Sequence, residues 1–312
     1  MGITEKKYKM KAVICTKYGS PDVLKIVEVE KPIPKDDEVL IRVHATTVHI
    51  GDTRIRRANP FLVRLVFGLF KPKKNLILGM EISGEIESTG KDVKSFSKGD
   101  KVFAFTGFDL GGYAEYKCMP EKSLKNKGFV LLMPDNLSYQ EASAIPAGGL
   151  TALKNLQKAA IKKGQNILIN GASGSLGTYA IQLAKYFGAE VTAVCSSKNF
   201  ELVKSLGADK VIDYTKEDFT KSNEKYDIVY DAVVKSKHTD CRKILKKNRV
   251  FLNNSRLPKI EEKDLFFLLD LIKSNKLKPV LDRLYSINDI VEAHKYVDNG
   301  HKKGNVVILI CE

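Results

Sequence analysis

An α/β fold, with a doubly wound parallel sheet preceded by a β-rich domain, is what this 312-residue sequence predicts. Three observations carry the expectation. After Pro134, short apolar runs alternate with helical patterns, the mark of βαβ units. Runs such as Ile167-Leu168-Ile169 are continuously apolar, as in strands covered by helices on both faces. The first third instead carries Val- and Ile-rich runs bounded by Gly, Pro and Asp turns, the pattern of a small barrel or sandwich.

In order, strands are expected over Lys11–Thr16, Leu24–Glu30, Glu38–Thr46, Ile82–Thr89 and Lys101–Phe105. Turn signals at Tyr18–Pro21, Pro32–Asp37, Thr89–Lys91 and Lys98–Asp100 separate them. The longest apolar run, Phe61–Phe70, is too short for a bilayer, which needs about 20 residues, and Arg64 interrupts it. It reads as a buried or pocket-lining helix, the alternative being a membrane-surface patch helped by Lys71, Lys73 and Lys74. Past Pro134, helices are expected over Tyr139–Ala144 and Gly149–Ala159, then at Leu176–Phe187 and Phe200–Leu206. Strands are expected at Asn166–Asn170, Val191–Cys195, Lys210–Ile212, Ile228–Ala232 and Arg249–Leu252. Helices over Leu265–Ile272 and Ile287–Val297 and a strand at Asn305–Ile310 close the chain.

Composition excludes several classes. A hydrophobic fraction of 43% with 29% charged residues is neither a disordered tail nor a membrane protein. The net charge of +15 attracts polyanions in general, but the lysines are scattered and no zinc finger, aromatic RNA-binding box or long basic arm is present, so no nucleic-acid partner is expected. The five cysteines are odd in number and form no C-x-x-C pair, which argues against a disulfide framework and against a clustered zinc lobe. A reducing, cytoplasmic setting follows, and the opening MGITEKKYKMKAVIC has no signal-peptide character.

The segment from Asn166 to Cys195 carries the chemistry. Gly171, Gly174 and Gly177 fall at G-x-x-G-x-x-G spacing directly after a strand and before a helix, the frame of a Rossmann dinucleotide-binding turn. Such a turn needs residues free to take positive φ or to lack a Cβ, and its amides with the helix dipole hold a pyrophosphate. Gly171, Ser173, Gly174, Ser175, Leu176 and Gly177 are therefore the expected cradle, with Ser173 and Ser175 as hydroxyl donors. At the end of the second strand an NAD site places Asp or Glu on the ribose. Here Ser196, Ser197 and Lys198 follow Cys195 with no acid, which suits the 2′-phosphate of NADPH (NADP+).

These blocks together resemble the medium-chain dehydrogenase/reductase superfamily, in particular its zinc-free quinone oxidoreductase branch and the subgroup that includes reticulon-4-interacting protein. The similarity runs through Lys11-Ala12-Val13, Tyr18–Pro21, Glu38–Val43 with Asp52, Leu78–Glu81 with Ser83-Gly84, Gly99–Val102, Gly111–Tyr116, Ile145-Pro146 and Leu150–Ala152, and on to Lys278–Arg283 and Ala293-His294. It implies a GroES-like β-barrel catalytic domain over 1–125, a Rossmann NADP-binding domain over 126–264, and a segment over 265–312 returning to the catalytic domain, with the cofactor in the cleft between domains. It further implies that Thr151 touches the nicotinamide region and that Tyr214 lies near the adenosine end. The positions matching the ligands of zinc-dependent relatives are His49, Met80 and Ala147–Gly148, a set that cannot hold a metal, so none is expected. After Ser255 the family runs on through a last strand that pairs across a dimer. Here only Arg256–Asp264 intervenes, which implies a monomer or an altered dimer.

Without a Lewis acid, alcohol oxidation is disfavoured and activated acceptors fit: quinones or α,β-unsaturated carbonyls. His49, Arg54 and Tyr113 are the catalytic candidates, donors to a developing enolate, with Thr53 beside them. The alternative is a catalytically weak NADPH-binding or partner-binding protein on the same fold.

Overall fold

A computed structural model describes residues 8–74, 76–122, 128–254 and 261–311. The chain divides into two compact units. One comprises 1–146, 281–301 and 305–312; the other comprises 147–280 and 302–304.

In the first unit β1 (Lys9–Cys15) and β2 (Leu24–Glu30) form an antiparallel pair. β3 (Glu38–Thr47) leads into α1 (Ile50–Arg57) and α2 (Val63–Phe67), then β4 (Glu81–Thr89), β5 (Lys101–Phe105), β6 (Tyr116–Pro120), β7 (Phe129–Leu132) and α3 (Tyr139–Ser143). In the second unit α4 (Pro146–Lys158, its first residue in the first unit) is followed by β8 (Asn166–Asn170), α5 (Ser175–Tyr186), β9 (Glu190–Cys195), α6 (Phe200–Ser205), β10 (Lys210–Asp213), β11 (Tyr226–Asp231), α7 (His238–Cys241), β12 (Leu245–Asn253) and α8 (Glu262–Lys273). β13 (Leu281–Ser286), α9 (Ile290–Asp298) and β14 (Asn305–Leu309) belong to the first unit again.

The second unit's sheet is parallel throughout, in the order β10-β9-β8-β11-β12. Its central strand buries Ile167, Leu168 and Ile169 completely, which is why that run is apolar at every position. The other large sheet runs β13-β14-β3-β4-β5-β7, with β6 on β3, and among the described residues no pairing joins β7 to β13 to close it. Strand β14 lies antiparallel on β3, so the end of the chain completes the sheet its beginning started. The fold is thus α/β, a Rossmann-like parallel sheet with a GroES-like β unit. The units part at 146/147 and 280/281 rather than at 125/126 and 264/265, because β7 pairs with β5, α3 packs on β3 and β4, and α8 stays in the second unit. The short segment after Ser255 lies outside the described residues over 255–260.

The apolar run 61–70 departs from the buried helix expected of it. Only Val63, Phe67 and the backbone around them face inward; Phe61, Leu62, Leu65, Val66, Leu69 and Phe70 are exposed, Phe70 to 89%. Helix α2 is a single short turn, too short to bury a second face.

One polar chain threads the first unit's core. Arg56 on α1 is fully buried, its guanidinium donating to Gly19 O at 2.5 Å, to Asp298 Oδ2 at 2.5 Å and through Nε to His294 Nδ1 at 3.3 Å. With Nδ1 accepting, neutral His294 carries its proton on Nε2, 3.1 Å from the Tyr113 hydroxyl, which donates in turn to Thr47 O at 3.3 Å. Burial, with the positive Arg56 and Arg57 nearby, pushes His294 down to about 3, so it stays neutral.

Removing a buried ion's partner leaves the other charge stranded. Arg56→Ala should therefore lower the unfolding free energy by about 3–5 kcal/mol in chemical denaturation, whereas Lys9→Ala, which breaks the exposed pair with Glu28, should cost about 0–1 kcal/mol. His294 binds a proton below pH 6.5 only when unfolded. Its contribution is thus fully present above 6.5 and is lost as pH falls towards 3. The stability difference between wild type and His294→Gln should rise with pH across that window, by at most about 1.4 kcal/mol per unit. Taking the difference cancels Asp52, whose raised value works in the opposite sense.

Candidate functional site

The glycine turn joins β8 to α5, and two of its three glycines answer steric demands. Gly171 has φ +78°, and a Cβ there would meet Val233 Cγ1 at 2.4 Å. A Cβ on Gly177 would strike Gly171 O at 2.3 Å and Ala172 Cα at 2.6 Å, so this glycine sets how closely α5 approaches the strand. Gly174 is the N-cap of α5 at φ −79°, ψ 175°, where any residue could sit. The nearest atom to its missing Cβ, Gly171 O at 3.5 Å, leaves open space. The helix therefore begins on a residue with no capping side chain, and the first-turn N–H groups of Leu176 and Gly177 have no intrahelical acceptor. An anion is the natural acceptor at such an end. Open space over Gly174 and an uncapped helix start fit the diphosphate of a dinucleotide.

Around the turn, Ser173 Oγ accepts from Asn199 Nδ2 at 3.0 Å, and the same amide reaches Ser196 Oγ at 3.4 Å. Asn199, which the sequence analysis does not single out, ties the turn to the end of β9. Its signal was only a polar residue just past Lys198. Ser197 and Lys198 are exposed and Ser196 half-buried. The end of β9 carries no acid, but β10 places Asp213 opposite Cys195 in the parallel register. That carboxylate accepts from Thr215 N at 3.0 Å and Thr215 Oγ1 at 2.7 Å, and the Thr215 hydroxyl above all holds it below the usual range. Tyr214 beside it is exposed and lines a surface cavity of about 380 Å³ with Thr215, Lys216 and Phe219. Gly148 lets α4 approach α5, since a Cβ there would meet Ser175 Oγ and Tyr179 Cε2 at 2.8 Å. Thr151 follows one helical turn on, half-buried. The structure thus gathers Ser173, Ser175, Ser196 and the glycines about one turn.

The catalytic candidates belong to the first unit. His49 is the N-cap of α1: its Nδ1 accepts from Gly51 N at 3.0 Å while its N–H donates to Asp52 Oδ2 at 3.0 Å, a capping box built with histidine. An accepting Nδ1 puts the neutral ring's proton on Nε2. Asp52 also accepts from Gly79 N at 2.9 Å, and complete burial raises it to about 7. Met80 Sδ and His49 Nδ1 flank Gly51, where a Cβ would lie 2.5 Å and 2.9 Å from them. Arg54 is exposed on α1, whereas Thr53 is buried and donates to Ile50 O. Tyr113 has no exposed surface, and its hydroxyl lies among His294, Thr47 O and the Asp52 carboxyl, so it is a core residue in this structure. Glu81 is buried, accepting from Thr47 Oγ1 at 2.5 Å. Among the described residues, no group of three or more His, Cys, Asp or Glu could hold a metal ion, and no helix is long and apolar enough to cross a membrane.

Comparison with known proteins agrees with this geometry. The family model "Alcohol dehydrogenase GroES-like domain" matches residues 35–128, and two models described as "Zinc-binding dehydrogenase" match 175–275 and 246–308. The chain is 36% identical to the chloroplastic quinone-oxidoreductase QR1 of Triphysaria versicolor, covering 96% of this chain and 98% of that protein. It is also 36% identical to 2-methylene-furan-3-one reductase of Solanum lycopersicum, over 96% of this chain and 79% of that protein. The solved quinone oxidoreductase of Coxiella burnetii superposes with a TM-score of 0.85 at 28% identity, covering 97% of this chain and all of the other. The chain belongs to the medium-chain dehydrogenase/reductase superfamily, alongside its quinone oxidoreductases, and is a nicotinamide-dependent oxidoreductase.

The three glycines should separate in mutagenesis. Gly174→Ala should fold with wild-type stability yet bind nicotinamide dinucleotide at least about tenfold more weakly by fluorescence titration, its Cβ occupying the cradle. Gly177→Ala should instead lower the melting temperature, because its Cβ overlaps backbone of β8's turn.

Proposed function

We infer that this protein is an NADPH-dependent, zinc-independent reductase that passes hydride to a quinone or to an alkene conjugated with a carbonyl. One observation carries the reading: an uncapped α5 start over an open Gly174, beside a β9 end that bears Ser196, Ser197 and Lys198 instead of an acid. The relatives named for quinone and furanone reduction support the acceptor class.

Preference for the 2′-phosphate rests on Lys198 and the two serines. Lys198 is exposed and, among the described residues, makes no ion pair within the chain, so its ammonium is available to an anion. Ser196 is pre-oriented by Asn199, and the nearby acid, Asp213, is engaged by Thr215. Tyr214, flat and exposed, offers a stacking face for the adenine.

Bound NADPH supplies the hydride. The acceptor's own carbonyl takes up the charge as an enolate or hydroquinone anion, so a hydrogen-bond donor suffices. His49 provides one at Nε2, because its Nδ1 is fixed as the cap of α1, and Arg54 offers a second, cationic donor. The donor set supports a reaction without zinc: at Gly51 it is a thioether and an imidazole, and a catalytic zinc needs three protein ligands.

Steady-state assays with quinones, 2-alkenals and enones should show NADPH oxidation with kcat/KM at least about tenfold higher than with NADH. Lys198→Ala should raise KM for NADPH roughly tenfold, the equivalent of one charged hydrogen bond, and leave NADH unchanged. Equal use of both cofactors, or no turnover across the panel, would overturn the reading.

A further inference from the structure

The segment between α1 and β4 has no part in the site described above. Leu65 and Val66 on α2, with Leu62 and Leu69 on either side of it, are all exposed, at 67%, 55%, 67% and 46%. Phe61 and Phe70 flank them at 63% and 89% exposed. Phe67, by contrast, is 6% exposed and Val63 packs against the first unit's core. The segment is held in this orientation by several contacts. The Tyr18 hydroxyl donates to Gly68 O at 2.7 Å, Lys73 N donates to Phe67 O at 2.8 Å, and the Arg64 guanidinium lies 5.0 Å from the Tyr18 ring centre and 5.3 Å from that of Phe61. The hydrophobic residues are therefore presented outward by a fixed backbone.

Charge sets the partner. From Thr53 to Met80 the sequence has no Asp or Glu, and the acids at its borders, Asp52 and Glu81, are buried. Over the same stretch Arg54, Arg57, Lys71, Lys73 and Lys74 are exposed. Asp298 pairs with Arg56 and approaches Arg57 at 3.8 Å; among the described residues, Arg54 and the three lysines make no ion pair. A protein partner that covered six large apolar side chains flanked in sequence by exposed cations would need acidic groups beside an apolar centre. An anionic bilayer offers both over any area: acyl chains for Phe61, Leu65 and Phe70, and a negative headgroup plane for the exposed cations.

We propose that residues 61–74 form a docking face for an anionic lipid bilayer, with the aromatic and leucine side chains entering the headgroup boundary and the lysines lying on the phosphate plane. The binding is peripheral and reversible, and it depends on salt as an electrostatic contact does. It is independent of the catalytic reading, because no cofactor or acceptor is needed for it.

Co-sedimentation of the full chain with vesicles tests it. Phosphatidylcholine vesicles containing about one third phosphatidylserine should bind the protein, pure phosphatidylcholine should bind at least tenfold less, and raising salt tenfold should release it. Leu65→Glu with Phe70→Glu should abolish binding while leaving the circular dichroism spectrum unchanged, since both positions are exposed. Ile33→Glu, an equally exposed apolar site elsewhere at 80%, should bind as wild type. Equal binding to neutral vesicles, no binding to either, or retention in the double variant would each overturn the proposal. So would a wild-type dimer in solution that the double variant dissociates, which would assign the face to a second copy.

Discussion

The backbone turn between β8 and α5 is where the second unit's architecture and its chemistry are the same thing. Helix α5 can lie against its strand only because residue 177 has no Cβ to meet Gly171 O and Ala172, and the strand can turn into the helix only because Gly171 reaches φ +78° beneath Val233. Those two constraints fix the position of the helix start. Gly174 then leaves that start without a side-chain cap, at a local cost of a few tenths of a kcal/mol relative to Ser or Asp. The turn is braced from outside: Gly304 N donates to Ser173 O at 2.8 Å, and Gly304, at φ +52°, passes so close to Val280 O that a Cβ would sit 2.2 Å away. A segment from far along the chain thus helps hold the glycine turn in place.

The first unit solves a different problem. Its core contains a guanidinium, an imidazole and a phenol that water does not reach, and each is satisfied by the next: Arg56 to His294, His294 to Tyr113, Tyr113 to Thr47 O. A half-satisfied network of this kind would be worse than hydrocarbon. Completing it consumes Tyr113, which is why a residue of catalytic type in a family-typical block serves packing. It also stiffens α1 from the inside, through Arg56, while His49 and Asp52 fix its first turn. The tautomer of His49 is then set by capping geometry, its Nδ1 accepting from Gly51 N.

How much of this could be read from the sequence depends on how local each feature is. The glycine turn spans seven consecutive positions between a strand and a helix, so its spacing was legible, although the contact that forbids a Cβ at Gly171 comes from Val233, far along the chain. The parallel strands were legible because burial on both faces leaves no polar position in runs like 167–169. Edge and partly exposed strands were not: β13, reading Leu-Asp-Arg-Leu-Tyr-Ser, has no alternation to detect, and β6 and β7 are short. Asn199 and Arg56 escaped for a different reason, since their partners Ser173 and Asp298 are 26 and 242 residues away. In 61–70 an apolar run said only that the segment is hydrophobic, not which of its residues point in. Only the anchoring of Val63 and Phe67 decides it.

The same limit bears on cofactor choice. Reading along β9 finds no acid, but sheet register brings Asp213 level with Cys195, on the strand next door. A carboxylate about 4 Å from a phosphate would cost about 1 kcal/mol in water and several times that at lower effective dielectric, enough to cancel one lysine. Two features oppose that outcome. Thr215 takes Asp213 Oδ1 through both its N–H and its hydroxyl, directing the carboxylate back into its own loop. Lys216, 4.0 Å from Asp213 Oδ2, adds a compensating charge on the same loop, while Lys198 makes no ion pair among the described residues. Exposed charges are screened within about 10 Å, so the end of β9 is characterised by the donors it carries, Ser196, Ser197 and Lys198, of which Ser197 is also bonded to Asp213.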